Sequence, residues 1–70
     1  MKLWMYEEHN PSHTLVKFYG EAHSDYRYIG DLDDDKLREL FLEIDPKLDV
    51  EQNMKRIKYY GFLTLFVIKK

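Results

Sequence analysis

The sequence predicts a small α+β domain, an antiparallel sheet with two helices in the order βββααβ. Apolar residues alternate with a period of two in three segments before residue 30 and again after residue 61. Between residues 37 and 60 they instead recur with a period of 3.6. Since the chain has 70 residues and no cysteine, we expect one domain, residues 1–70, with one core and no disulfide.

The first three strands combine this alternation with turn residues at their ends. We predict strands over residues 3–8, 14–19 and 25–29, with a proline-containing turn at 9–12 and glycines after the second and third strands. The connection over 21–24 has hairpin length, which favours pairing of consecutive strands. The three strands are therefore expected to form an antiparallel meander.

The first helix is predicted over residues 33–44. Leu37, Leu40, Phe41 and Ile44 lie at the spacing i, i+3, i+4 and i+7, which places them on one helical face. Asp33 or Asp31 is the expected N-cap, and acidic residues in the first turn suit the positive end of the helix dipole. Pro46 ends the helix by forcing the preceding residue away from helical geometry.

A second helix is predicted over residues 50–60. Asp49 is a suitable N-cap with Gln52 three residues later, and Gly61 suits the position after the last helical residue. Val50, Met54, Ile57 and Tyr60 would share its apolar face. The competing interpretation makes residues 56–60 a strand.

The last strand, over residues 62–68, carries apolar side chains on both faces and therefore needs cover on both sides. Helices can cover one side of the sheet. The other side is covered either by the aromatic residues Trp4, Tyr6 and Tyr19 or by a second subunit. We favour the second subunit, and the sequence thus predicts a homodimer.

Charge is segregated along the chain although the net charge is only −2. Residues 31–51 contain nine acidic and three basic side chains, whereas residues 52–70 contain five basic and no acidic ones. An acidic row on a helix is most simply a solvated face. It can also imitate nucleic-acid phosphates and occupy the basic surface of a DNA-binding or DNA-processing protein. The partner-binding residues of that hypothesis are Asp33, Asp34, Asp35, Glu39 and Glu43, with Leu42 as an apolar anchor.

The alternative function is direct nucleic-acid binding. Aromatic rings on a sheet can stack on the bases of single strands while neighbouring cations contact phosphates. The residues that would do so are Tyr26, Tyr28, Lys55, Arg56 and Lys58. The isoelectric point of about 5.8 argues against a nucleic-acid module, which usually has a dominant basic surface.

Catalytic, metal and membrane roles lack sequence support. The Asp-rich stretch that starts at Asp31 has Lys36 and Leu42 where a calcium loop needs glycine and glutamate. We therefore expect a non-enzymatic protein with no catalytic residues, metal or cofactor. The remaining alternative is a small enzyme or metal protein that uses His9, His13 and His23. The longest apolar run, at 62–68, is too short to cross a bilayer, and the N-terminus lacks the apolar core of a signal peptide. These features predict a cytoplasmic protein without membrane contact.

At the level of architecture the chain resembles small phage-encoded host-takeover inhibitors. The resemblance covers residues 14–68: a hairpin, the aromatic strand Asp25-Tyr26-Arg27-Tyr28, the Gly30-Asp31-Leu32 entry into an acidic helix at 33–44, and a C-terminal strand. Among these inhibitors it looks most like the acidic DNA mimics that block uracil-DNA glycosylase or nucleoid-associated proteins. This resemblance implies binding to a host protein in the host cytoplasm. Because residues 52–70 are basic, it implies a local acidic face, doubled by a dimer, rather than mimicry by the whole surface.

Overall fold

A computed structural model describes residues 1–69 and confirms the α+β fold in the order βββααβ. Its elements are β1 (Lys2–His9), β2 (His13–Tyr19), β3 (Arg27–Asp31), α1 (Asp34–Ile44), α2 (Val50–Tyr60) and β4 (Phe62–Ile68). Residues 56–60 are helical, so the competing strand interpretation is wrong. The third strand begins two residues later than predicted. No helix in this part of the chain has the length and apolar character that a bilayer crossing needs.

The strand order is β3-β1-β2-β4, with every neighbouring pair antiparallel. The predicted meander is therefore wrong: β3 pairs with β1 rather than with β2. The edge of β2 that a meander would offer to β3 is taken by β4, which pairs with it over seven consecutive residues, from His13 opposite Ile68 to Tyr19 opposite Phe62. This pairing buries Leu63 and Leu65 beside β2, so apolar burial outweighs the preference for pairing sequence neighbours.

Both helices cover the same face of the sheet. Its inward side chains alternate along each strand and pack against the apolar stripes of α1 and α2. Phe18 and Phe41 meet edge to face at the centre, with ring centroids 5.5 Å apart, and both are almost fully buried. The buried apolar residues of this core are Leu3, Met5, Val16, Phe18, Leu37, Phe41, Val50, Met54, Ile57, Leu63 and Leu65.

The predicted helix boundaries are confirmed at atomic detail. The Asp33 side chain accepts a hydrogen bond from the backbone N–H of Lys36 at 2.9 Å, and Asp49 does the same for Gln52 at 3.2 Å. Gly61 ends α2 with φ of 77°, a left-handed conformation that favours glycine. From there the chain turns directly into β4, which fixes α2 above this strand.

The opposite face of the sheet, here called the open face, has no helix over it. Because β1 lies between β2 and β3, the segment 20–26 has to cross β1, and it does so on this face. His23 stacks on Tyr19 with ring centroids 4.6 Å apart, and Tyr26 stacks on Tyr6 at 5.6 Å. The crossing segment therefore covers part of the open face and leaves the part over β4 exposed.

Candidate functional site

The acidic residues of α1 do not form one uniform surface. Asp33 is occupied as the N-cap of the helix. The Asp34 carboxylate lies 2.8 Å from the Lys58 ammonium on α2, and this hydrogen bond and charge lower the pKa of Asp34. Asp35 lies 3.3 Å from the Arg38 guanidinium. Half of the predicted acidic site is thus committed to contacts within the chain.

Arg38 connects the two helices a second time. Its guanidinium lies 3.0 Å from the Glu51 carboxylate on α2, and this hydrogen bond and charge raise the pKa of Arg38. The pair with Asp35 adds to the same effect. The ion pairs of Arg38 and of Lys58 span the same two helices, so both tie α1 to α2 on the exposed side of the helical layer.

Glu39 and Glu43 differ from the first-turn aspartates. Both are exposed, and among residues 1–69 no Lys, Arg or His nitrogen lies within 4.0 Å of either carboxylate. Residues four apart on a helix have side chains about 6 Å apart on one face. Leu42 stands next to them with 41% of its surface exposed. The structure thus brings two unpaired carboxylates and one exposed apolar side chain together.

These three residues border a groove of about 630 Å³ between α1 and the edge strand β3. Its apolar part consists of Met5, Ile29, Leu32 and Leu40. Arg27 and Lys36 complete its border, and Arg27 lies 3.6 Å from Glu7. The groove therefore offers an apolar floor with charges of both signs at its border, rather than a continuous acidic surface.

The residues of the alternative nucleic-acid site lie on two sides of the molecule. Tyr26 and Tyr28 are on the open face, at the β3 side of the sheet. Burial against the neighbouring tyrosines raises the pKa of the Tyr26 hydroxyl. Lys55, Arg56 and Lys58 belong to α2, which packs on the other face, and Lys58 is paired with Asp34. The structure does not bring the predicted aromatic and basic groups together.

Sequence reasoning named most members of the aromatic cluster on the open face but missed that the crossing segment, with His23, joins them. Trp4 contacts Tyr28 at a centroid distance of 5.0 Å, and Tyr19 contacts His23 and Tyr26. The alternation of apolar and polar residues along each strand identified the side chains that lie on the open face. The order of the strands, which decides which outer residues become neighbours, has no signal in the sequence.

None of the three histidines lines the groove between α1 and β3. His9 is 3.2 Å from Glu7, His13 stacks on Phe66 at 4.5 Å, and His23 stacks on Tyr19. Within residues 1–69 no group of three or more His, Cys, Asp or Glu side chains is arranged to hold a metal ion. Compared with protein families, with curated proteins and with solved structures, the chain matches none of them.

Proposed function

We propose that the protein is a non-enzymatic binding protein that uses α1 to occupy the basic surface of a partner protein in the cytoplasm. One observation carries this proposal: the exposed Leu42 stands beside the unpaired carboxylates of Glu39 and Glu43 at the border of an apolar groove. An apolar anchor surrounded by charges is the usual arrangement of a protein-binding surface. The partner class that fits is a protein whose basic surface otherwise contacts nucleic-acid phosphates.

The ion pairs within the chain limit which acidic residues of α1 can take the place of nucleic-acid phosphates on the partner. Asp34 and Asp35 already have cationic partners within the chain, so they add less to the outward field than their number implies. The contact is therefore centred on Glu39, Leu42 and Glu43, and Asp33 to Asp35 contribute at its margin. A homodimer, which the uncovered strand β4 predicts, would carry two copies of this surface.

Affinity capture from a nuclease-treated bacterial lysate tests the proposal. The tagged protein should retain a basic nucleic-acid-binding protein, and duplex DNA added to the wash should displace it. A Glu39→Lys/Glu43→Lys variant should capture at least tenfold less of this partner than the wild-type protein does, because reversing both charges turns attraction into repulsion. The charge-matched control Glu8→Lys/Glu21→Lys, with both changes outside the groove, should retain it. Equal capture by both variants would exclude α1 as the binding surface.

The alternative, binding of single-stranded nucleic acid by the open face, is favoured by the aromatic side chains gathered there, including Trp4, Tyr6 and Tyr28. The cations of β1 and β2 on that face are Lys2 and Lys17. Two lysines give little phosphate attraction, whereas single-strand binders usually line their groove with many cations. The geometry therefore supports the protein-binding function better.

A further inference from the structure

We propose that the free edge of β4 pairs with the same edge of a second copy of the chain, which joins two four-stranded sheets into one of eight strands. This inference rests on the homodimer proposed above and names its surface. It does not depend on Glu39, Leu42 and Glu43, because the groove that they border contains no residue of β4.

The two edges of the sheet differ in their protection. β3 has five residues, carries Arg27 and Asp31, and shifts register against β1 between Leu3 and Trp4. Short length, charge and irregular pairing are the features that normally prevent an edge from pairing further. β4 has seven residues with no charge, no glycine, no proline and an uninterrupted register. Of the two edges, β4 is the less protected, because its nearest charge, Lys69, follows the strand instead of lying within it.

The hydrogen-bonding groups of β4 that face the free edge follow from its pairing with β2. In antiparallel pairs, alternate residues exchange hydrogen bonds with the neighbouring strand. The backbone C=O of Gly61 accepts a hydrogen bond from the N–H of Gly20 at 2.9 Å, and the backbone N–H of Lys69 donates one to the C=O of Ser12 at 3.0 Å. The backbone groups of the odd-numbered residues of β4 therefore face β2. The even-numbered residues therefore direct their backbone N–H and C=O groups to the free edge. They are Phe62, Thr64, Phe66 and Ile68.

An antiparallel arrangement satisfies all of these groups with a second copy. In the register that places Leu65 opposite Leu65, Phe62 lies opposite Ile68 of the second copy and Thr64 lies opposite Phe66. The four pairs would form about eight backbone hydrogen bonds. The side chains of these pairs adjoin on the open face and are apolar except for Thr64. Because the strands run in opposite directions, the two Lys69 residues would be about 27 Å apart, beyond the Debye length of about 8 Å.

The exposed apolar surface along this edge is large enough for a specific dimer. Tyr60, Phe62, Phe66 and Ile68 are 61, 51, 58 and 73% exposed. At about 200 Å² for each side chain, they expose about 500 Å² per copy. Complete burial in a pair would therefore remove about 1,000 Å², the lower limit of a specific interface. Stacking of two open faces over β1 is obstructed, because the segment 20–26 crosses there. Alongside β4 the neighbouring chain is the loop after α1, whose residues 45–47 border a cavity with Phe66, Val67 and Ile68.

Sedimentation of the full chain over a range of concentrations tests the pairing. The protein should form a dimer of twice 8.6 kDa, and Thr64→Lys should raise the dissociation constant at least tenfold. In the proposed register the two introduced lysines lie about 7 Å apart along the edge. The control Tyr28→Lys, on the open face at β3, should leave the dimer intact. A wild-type protein that stays monomeric, or a dimer that Tyr28→Lys disrupts and Thr64→Lys does not, would overturn the inference.

Cysteine pairing tests the register without relying on a disruptive variant. Because the chain has no cysteine, any disulfide must come from introduced residues. A mixture of the Phe62→Cys and Ile68→Cys proteins should form a mixed disulfide on oxidation. Each protein alone should stay unlinked, because its two copies of the cysteine would be about 20 Å apart. Linking of either protein alone to the same extent would contradict the register.

The two proposals fail separately. The Thr64→Lys monomer, which keeps Glu39, Leu42 and Glu43 unchanged, should still capture the basic partner. Loss of capture by Glu39→Lys/Glu43→Lys with an unchanged dimer would support the function of α1 independently. A wild-type monomer that captures the partner would overturn the β4 pairing and leave the binding function in place.

Discussion

Lys58 on α2 places its ammonium 2.8 Å from the carboxylate of Asp34 on α1. From the sequence these two residues belong to rival functional sites, one acidic and one basic. In the structure they neutralise each other across the contact between the two helices. Part of the charge segregation along the chain therefore pairs the two helices, whereas Glu39 and Glu43 have no cation of residues 1–69 within 4.0 Å.

The Asp34–Lys58 pair makes stability depend on pH in the acid range. The pKa of Asp34 is lowered from 3.8, so its stabilising contribution is fully present above that value and is lost as the pH falls through the lower folded-state pKa. Asp34→Asn should therefore flatten the decline of the free energy of unfolding between about pH 5 and about pH 2, measured by urea denaturation. In a Lys58→Met background the same substitution should have a smaller effect, because only the weaker attraction of Arg38 and the N-terminus is left.

Truncation of the neighbouring residues Phe41 and Leu42 on α1 should change the free energy of unfolding by very different amounts. Phe41 is fully buried against Phe18, so Phe41→Ala should lower the free energy of unfolding by about 3–5 kcal/mol. Leu42 is 41% exposed, and Leu42→Ala should change it by less than about 1 kcal/mol while weakening partner capture. Urea denaturation of both variants measures these two changes in the free energy of unfolding, and affinity capture measures the effect of Leu42→Ala on partner binding. A large stability loss for Leu42→Ala would identify it as a core residue rather than an anchor.

The junction between α2 and β4 depends on backbone conformation rather than packing. Gly61 has φ of 77°, and a Cβ atom there would meet no heavy atom within 4 Å. Gly61→Ala should therefore destabilise the protein by about 1 kcal/mol through backbone strain alone. Gly61→Asn should cost less, because asparagine tolerates the left-handed region. Thermal denaturation followed by circular dichroism distinguishes the two, and equal losses would contradict this explanation.

Trp4 is the chain's one tryptophan and reports on the open face, where it lies 5.0 Å from Tyr28. We expect an oligodeoxythymidine to leave Trp4 fluorescence unchanged at physiological salt, because Lys2 and Lys17 supply little phosphate attraction. A quench that decreases with increasing salt would instead support the nucleic-acid-binding alternative. Titration at low and physiological salt gives the comparison.

Local features of the chain were predictable because they depend on residues close in sequence. The caps Asp33 and Asp49, the left-handed Gly61 and the apolar stripes of both helices are each specified within a few residues. The candidate site was predictable only in part. Its exposed members Glu39, Leu42 and Glu43 follow from helical spacing, whereas the groove beside them requires the position of β3.

The sequence by itself determined the elements, most of their boundaries and most of the side chains on each face, because periodicity and capping are local. The exceptions are the bounds of β3 and the position of Tyr60, which is exposed rather than on the apolar face of α2. Only the tertiary structure decided that β3 pairs with β1, that Lys58 meets Asp34, and that Arg38 connects α1 to α2. These contacts join residues distant in sequence, and they are selected by the burial of the whole core rather than by any local preference. For the same reason β4 pairs with β2, and the other edge of this uncharged strand stays free.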